Sequence, residues 1–114
     1  MNQTDKGKAR AAEVNETMFQ AHRGAFVRRG ELIVFGNDGY EGDDKGRPKR
    51  EVEAAVAWAK GHGLEVTDFG TDADGYSWAL VCRGGRAHDL RRLAVEAEDV
   101  LRKAWVGDNP GPLS

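Results

Sequence analysis

Cysteine is nearly absent: Cys82 is the only one in 114 residues. A lone thiol cannot close an intramolecular disulfide, so a staple-held secreted scaffold is excluded and a cytoplasmic location is expected. Serine is confined to Ser77 and Ser114, which leaves little for a serine-nucleophile triad. His22, His62 and His88 have no zinc-ligand spacing. No apolar run approaches the roughly 20 residues of a membrane-spanning helix, and the polar N-terminus lacks the apolar core of a secretory signal, so no membrane contact is expected. Neither a P-loop nor a dinucleotide fingerprint is present, and no cofactor is expected. Charge of one sign is also lacking: a net −2 rules out coating DNA by bulk charge, though not a local basic patch.

What is present reads as a folded chain. Only 39% of residues are hydrophobic and 32% are charged, but the apolar ones are periodic rather than dispersed. A chain of this length suits one domain that buries roughly two-thirds of its unfolded surface. We place that domain at residues 1–106, with a flexible tail over 107–114 that holds two of the three prolines. Abundant Ala, Gly, Arg and Val suggests a GC-rich bacterial genome.

Ala11, Val14, Met18 and Ala21 recur at helical steps, predicting a helix from about Lys8 to His22 that Gly24 ends. Phe26–Arg28 and Glu31–Phe35 suit a hairpin with Gly30 in its turn, the second strand being the stronger signal. Pro48 opens a helix to Lys60 whose buried stripe is Val52, Ala55, Val56 and Ala59. Leu64–Phe69 and Tyr76–Cys82 alternate as strands around an Asp- and Gly-rich turn. Leu90, Leu93, Ala94, Ala97, Leu101, Ala104 and Trp105 line one face of a last helix from His88 to Trp105. The order α-(β)-β-α-β-β-α defines an α+β fold. We expect a small mixed sheet of three to four strands, with the two later helices on one face. Its strand–helix–strand unit predicts parallel neighbours.

Three sets of residues could carry function. Tyr76 and Trp78 share a strand face, which is either covered by the first helix or open as a partner surface or base-stacking platform. The loop acids Asp38, Glu41, Asp43 and Asp44 would share a sheet edge with Asp68, Asp72 and Asp74. Such acids can bind a hard cation, but solvated loop carboxylates are the plainer reading, and no metal ligand is assigned. Asp72-Ala73-Asp74-Gly75 is like the middle of a calcium loop but lacks an acid at Gly70. Arg83, Arg86, Arg91 and Arg92 surround Gly84-Gly85 before the last helix, where a phosphate or merely a capped helix end would fit.

No catalytic set emerges, and Cys82, on a strand, reads as a small buried hydrophobe. The leading expectation is a non-catalytic binding protein: a small cytosolic regulator, adaptor or inhibitor with a protein partner, of the kind mobile elements often encode. Its contacts would be Tyr76, Trp78, Asp38, Glu41, Asp43 and Asp44. A homodimer is compatible with it. One alternative binds nucleic acid through the aromatics and Arg83, Arg86, Arg91 and Arg92. Another is a metal-dependent hydrolase at the acidic edge.

Overall fold

The computed structural model describes residues 2–18, 21–37 and 46–108, without the side chains of 46–48, 87–88 and 105–108. Among the described residues three helices accompany one four-stranded sheet, an α+β fold in the expected order. The elements are α1 (Asp5–Thr17), β1 (Arg23–Arg28), β2 (Glu31–Gly36), α2 (Gly46–Gly61), β3 (Glu65–Thr71), β4 (Trp78–Arg83) and α3 (Ala87–Asp108). The last helix runs two residues past 106, and the remainder of the expected tail, 109–114, lies outside the described residues, as does the side chain of Trp105.

Strand order is β1-β2-β4-β3, and every adjacent pair is antiparallel. The expected parallel neighbours are therefore not formed. β2 and β3 run in the same direction, but β4 lies between them and bonds to both. β1 and β2 join through Arg29 (φ 51°) and Gly30 (φ 78°), with Arg28 paired to Glu31. Two successive positive φ values match the right-handed twist of a hairpin, and glycine meets that demand without strain while arginine does not.

One face of the sheet carries Leu32 and Val34 from β2 with Trp78, Leu80 and Cys82 from β4. α2 covers it with Val52, Ala55 and Ala59, and α3 with Leu90, Leu93, Ala97 and Leu101. These spacings keep each helix's apolar side chains in one stripe, and each fully buried leucine contributes about 1.5–3 kcal/mol. A buried pair of Arg23 and Glu51, 3.3 Å apart, links β1 to α2 at the rim of this layer.

The opposite face is narrower. Ile33, Ala79 and Val81 accept Ala11 of α1, with Phe26 beside them. Gly7 of α1 and Gly70 of β3 allow near backbone contact: a Cβ on Gly7 would lie 2.1 Å from the Phe69 carbonyl. Thr4 caps α1 by accepting from the Gly7 amide, donates to Asp68 at 2.8 Å, and gives its own N–H to the Phe69 carbonyl at 2.8 Å. The Gln3 side chain accepts from the Thr71 amide, so the start of the chain covers part of the β3 edge. α1 itself ends at Thr17, well before Gly24, which instead pairs with Phe35 inside β1.

A register shift between Val66 and Asp68 corrects the simple alternation expected for β3. The extra residue, Thr67, lets Val66 and Phe69 both face the two-helix layer while Asp68 and Gly70 face α1.

Candidate anion-binding site

The topology gathers basic side chains from three distant stretches at one end of the α1 face. Lys6 and Arg10 lie one turn apart on α1, hence on the same side of that helix. Arg28 and Arg29 come from the β1–β2 turn. Arg83 ends β4, and the pairing of Leu32 with Cys82 sets it beside Glu31. Together with Glu31 these five residues line a concavity of about 210 Å³.

Two carboxylates hold the basic groups in place. Glu31 Oε2 accepts from Lys6 Nζ at 2.5 Å and from Arg83 Nε at 2.6 Å. Glu13 Oε2 accepts from Arg10 Nη1 at 3.1 Å and from Arg28 Nη1. Each oxygen thus bridges two cations. Arg28 donating to Glu13 holds that carboxyl below its usual range, against a partial desolvation, with Arg10 adding its charge. Burial alone would raise Glu31, whose side chain is only 11% exposed. The hydrogen bonds and charges of Lys6 and Arg83 outweigh that and leave it lowered.

Counting charges decides what the arrangement favours. Five cations meet the two carboxylates that bond them and Glu65, which lies opposite Arg83 in the strand pairing, an excess of two positive charges in a protein of net charge −2. Donors are also in excess. A guanidinium carries five N–H groups in a planar fork, and Arg83 gives only Nε to Glu31. Arg10 Nε is buried and meets no acceptor among the described residues. Arg29 is exposed at the turn and forms no ion pair among them. Such a concavity suits an oxyanion.

The residues singled out from sequence are divided by the fold. Trp78 is 1% exposed, at the centre of the layer beneath α2 and α3. That corrects the expected choice between cover by the first helix and an open face: the two later helices cover it, because α1 packs on the small side chains Ala79 and Val81 of the other face. In the folded chain Trp78 offers no partner surface. Its indole Nε1 has no hydrogen-bond acceptor among the described residues. Tyr76 is 46% exposed, but it lies before the start of β4 whereas Arg83 is at its end, so aromatic and basic groups do not meet. Asp38, Glu41, Asp43 and Asp44 lie outside the described residues.

Of the four expected arginines, only Arg83 joins the cluster. It points to the α1 face, whereas Arg91 and Arg92 sit exposed on α3 across the sheet and Arg86 is in the preceding loop. Asp68 and Asp72 have local roles. Asp68 accepts from Thr4, and Asp72 Oδ1 accepts from the amides of Tyr76 and Ser77, closing the β3–β4 turn. Among the described residues no group of three or more His, Cys, Asp or Glu could hold a metal ion. The Ser77 hydroxyl is buried and donates to Asn37 Oδ1 at 2.5 Å, while the Asn37 side chain donates to the Met18 carbonyl. Burial pushes the Cys82 thiol up to about 12, which leaves it unreactive near neutral pH. Among the described residues no helix is long and apolar enough to cross a membrane.

Sequence reasoning missed Lys6, Arg10, Glu13, Arg28, Arg29 and Glu31 as site residues. The available signals were the 6/10/13 spacing on a helix and Arg28-Arg29-Gly30-Glu31 as a two-residue hairpin turn. Neither reveals that the two meet. Comparison with protein-family models, curated proteins and solved structures gives no match.

Proposed function

We propose that the protein is a non-catalytic binding protein, a small regulator, adaptor or inhibitor, and that it grips an acidic protein partner with its basic end. The observation that carries this reading is the excess of cations around Glu13 and Glu31 in a concave site. Carboxylates that already orient the cation heads reduce the ordering cost on binding, because several rotamers are fixed beforehand. Tyr76, exposed elsewhere on the chain, is a second contact point in this reading. Buried Cys82 and the hydrogen-bonded Ser77 offer no accessible nucleophile, which favours recognition over covalent chemistry.

The test is a native pull-down with the wild type and with a Lys6→Ala/Arg29→Ala/Arg83→Ala variant, each with and without nuclease. A stoichiometric protein partner that survives nuclease, elutes as salt rises and is lost with the variant supports the proposal. A partner retained by the folded variant would overturn this surface. Nucleic acid recovered by the wild type and lost with the variant would assign the cluster to a phosphate backbone instead.

A further inference from the structure

We infer that the concavity between α1, the β1–β2 turn and the end of β4 is a recognition site for a phosphomonoester on a side chain of the protein partner. This inference rests on the binding reading above and specifies its ligand.

Charge and shape separate a phosphomonoester from other anions. A carboxylate brings one charge and two acceptor atoms. A phosphomonoester brings about −1.5 to −2 and three strong acceptor oxygens. An excess of two positive charges and the unspent donors of Arg10, Arg29 and Arg83 match the second better. Four of the five basic residues are arginines, whose planar forks bind phosphate oxygens bidentately, whereas lysine acts as a point charge. A volume of about 210 Å³ accommodates one such group with its attachment, rather than a length of backbone. Nucleic acid without sequence preference is normally held by aromatics interleaved with a basic groove. Among the described residues the exposed aromatic, Tyr76, precedes β4, at the end opposite Arg83.

The backbone at Arg29 points the same way. It holds a positive φ of 51° in a turn position where glycine or asparagine would be unstrained. Its side chain is exposed, beside a cluster that is already cationic. Conformational preference does not favour an arginine there, and the attraction of its charge to Glu13 is shared with Arg10 and Arg28, which already bond that carboxylate, whereas a doubly charged ligand does favour it.

NMR titration of the full chain at pH 7.5 tests the inference with three probes: phenyl phosphate, benzoate, and single-stranded oligothymidylate at matched phosphate concentration. Phenyl phosphate should give saturable shifts, in about the millimolar range for so small a ligand, at the Arg10, Arg29 and Arg83 side-chain Nε–H signals and the Gly30 amide. Benzoate should bind at least about tenfold more weakly, and Arg83→Ala should weaken phenyl phosphate about tenfold or more, as expected for one lost charged hydrogen bond. Arg29→Gly removes the strain with the side chain, so it should fold at least as well and still lose affinity. Benzoate binding as tightly as phenyl phosphate would overturn the phosphate assignment while leaving an acidic partner intact. Tighter binding of the oligonucleotide per phosphate would overturn both in favour of nucleic acid. No saturable shift with any probe would overturn the site, and the pull-down then judges the binding reading independently.

Discussion

Replacing Gly7 with alanine sets helix propensity against steric fit, and the two have opposite signs. In an isolated helix alanine is favoured over glycine by about 1 kcal/mol, less within the first turn, where Gly7 sits. In the folded chain a Cβ at this position would approach the Phe69 carbonyl carbon and oxygen to 2.1 Å and the Gly70 nitrogen to 2.6 Å. All three are backbone atoms of β3, so no side-chain rotation relieves the overlap. Reaching an ordinary contact of 3.4 Å requires α1 to retreat by about 1.3 Å. That retreat stretches Thr4 N–H to Phe69 and Thr4 Oγ1 to Asp68, both 2.8 Å. Overpacking of this kind costs about 1–3 kcal/mol, and each weakened hydrogen bond about 1 more.

Gly7→Ala should therefore destabilise by about 2–4 kcal/mol. Urea unfolding followed by tryptophan fluorescence, to which the buried Trp78 contributes, should show a midpoint lower by roughly 1–2 M. Gly61→Ala, at the end of α2 with nothing within 4 Å of its Cβ, is the control, and should be neutral or stabilising by up to about 1 kcal/mol. A Gly7→Ala protein as stable as the wild type would refute the close seating of α1 on β3. It would equally undermine the anion site, because that seating is what brings Lys6 and Arg10 over Glu31 and Arg83.

Trp78→Ala should cost about 3–5 kcal/mol in urea unfolding while Tyr76→Ala stays within about 0.5, the pattern of a core and a surface residue. Asp72→Ala leaves the Ser77 amide in a buried turn without its acceptor and should cost about 2–4 kcal/mol, with Asp72→Asn milder because one oxygen remains. Glu13 and Glu31 have lowered folded-state pKa values, so their stabilisation is fully present above the ordinary glutamate range and is lost as pH falls through the folded values. Stability measured from pH 6 to about pH 3 should fall less steeply in Glu13→Gln/Glu31→Gln than in the wild type.

The sequence was most legible where periodicity alone decides burial. Leu90, Leu93, Ala97 and Leu101 are all buried, as a single helical stripe requires. Trp78, Leu80 and Cys82 share a face, as strand alternation requires. Which face the helices take is not contained in alternation. The small side chains of Ala79, Val81 and Gly70 admit α1 through Gly7 and Ala11, so the aromatic is left for the thicker layer under α2 and α3. The end of α1 was illegible for a different reason. Met18 closes it with a backbone bond to the Val14 carbonyl, without glycine or proline to mark the stop, while Gly24 serves in β1. The shift at Thr67 left only a slight signature, two apolar residues, Val66 and Phe69, three apart where strict alternation would put them on opposite faces, and only pairing with β4 places the extra residue.

The basic site was hidden because its members are scattered: Lys6 and Arg83 converge only through the seating of α1 and the β2–β4 register. Its composition also bears on why it exists. A cluster serving only to fasten α1 to the hairpin would need about one cation for each carboxylate. Further like charges a few ångströms apart repel by roughly 2–4 kcal/mol per pair near a protein surface, less where salt and water screen them. Arg29 adds a positive φ to that cost, offset in part by its attraction to Glu13. Folding stability and ligand affinity therefore make opposite demands at this residue, and a substitution that raises the first while lowering the second is the signature of a group kept for binding.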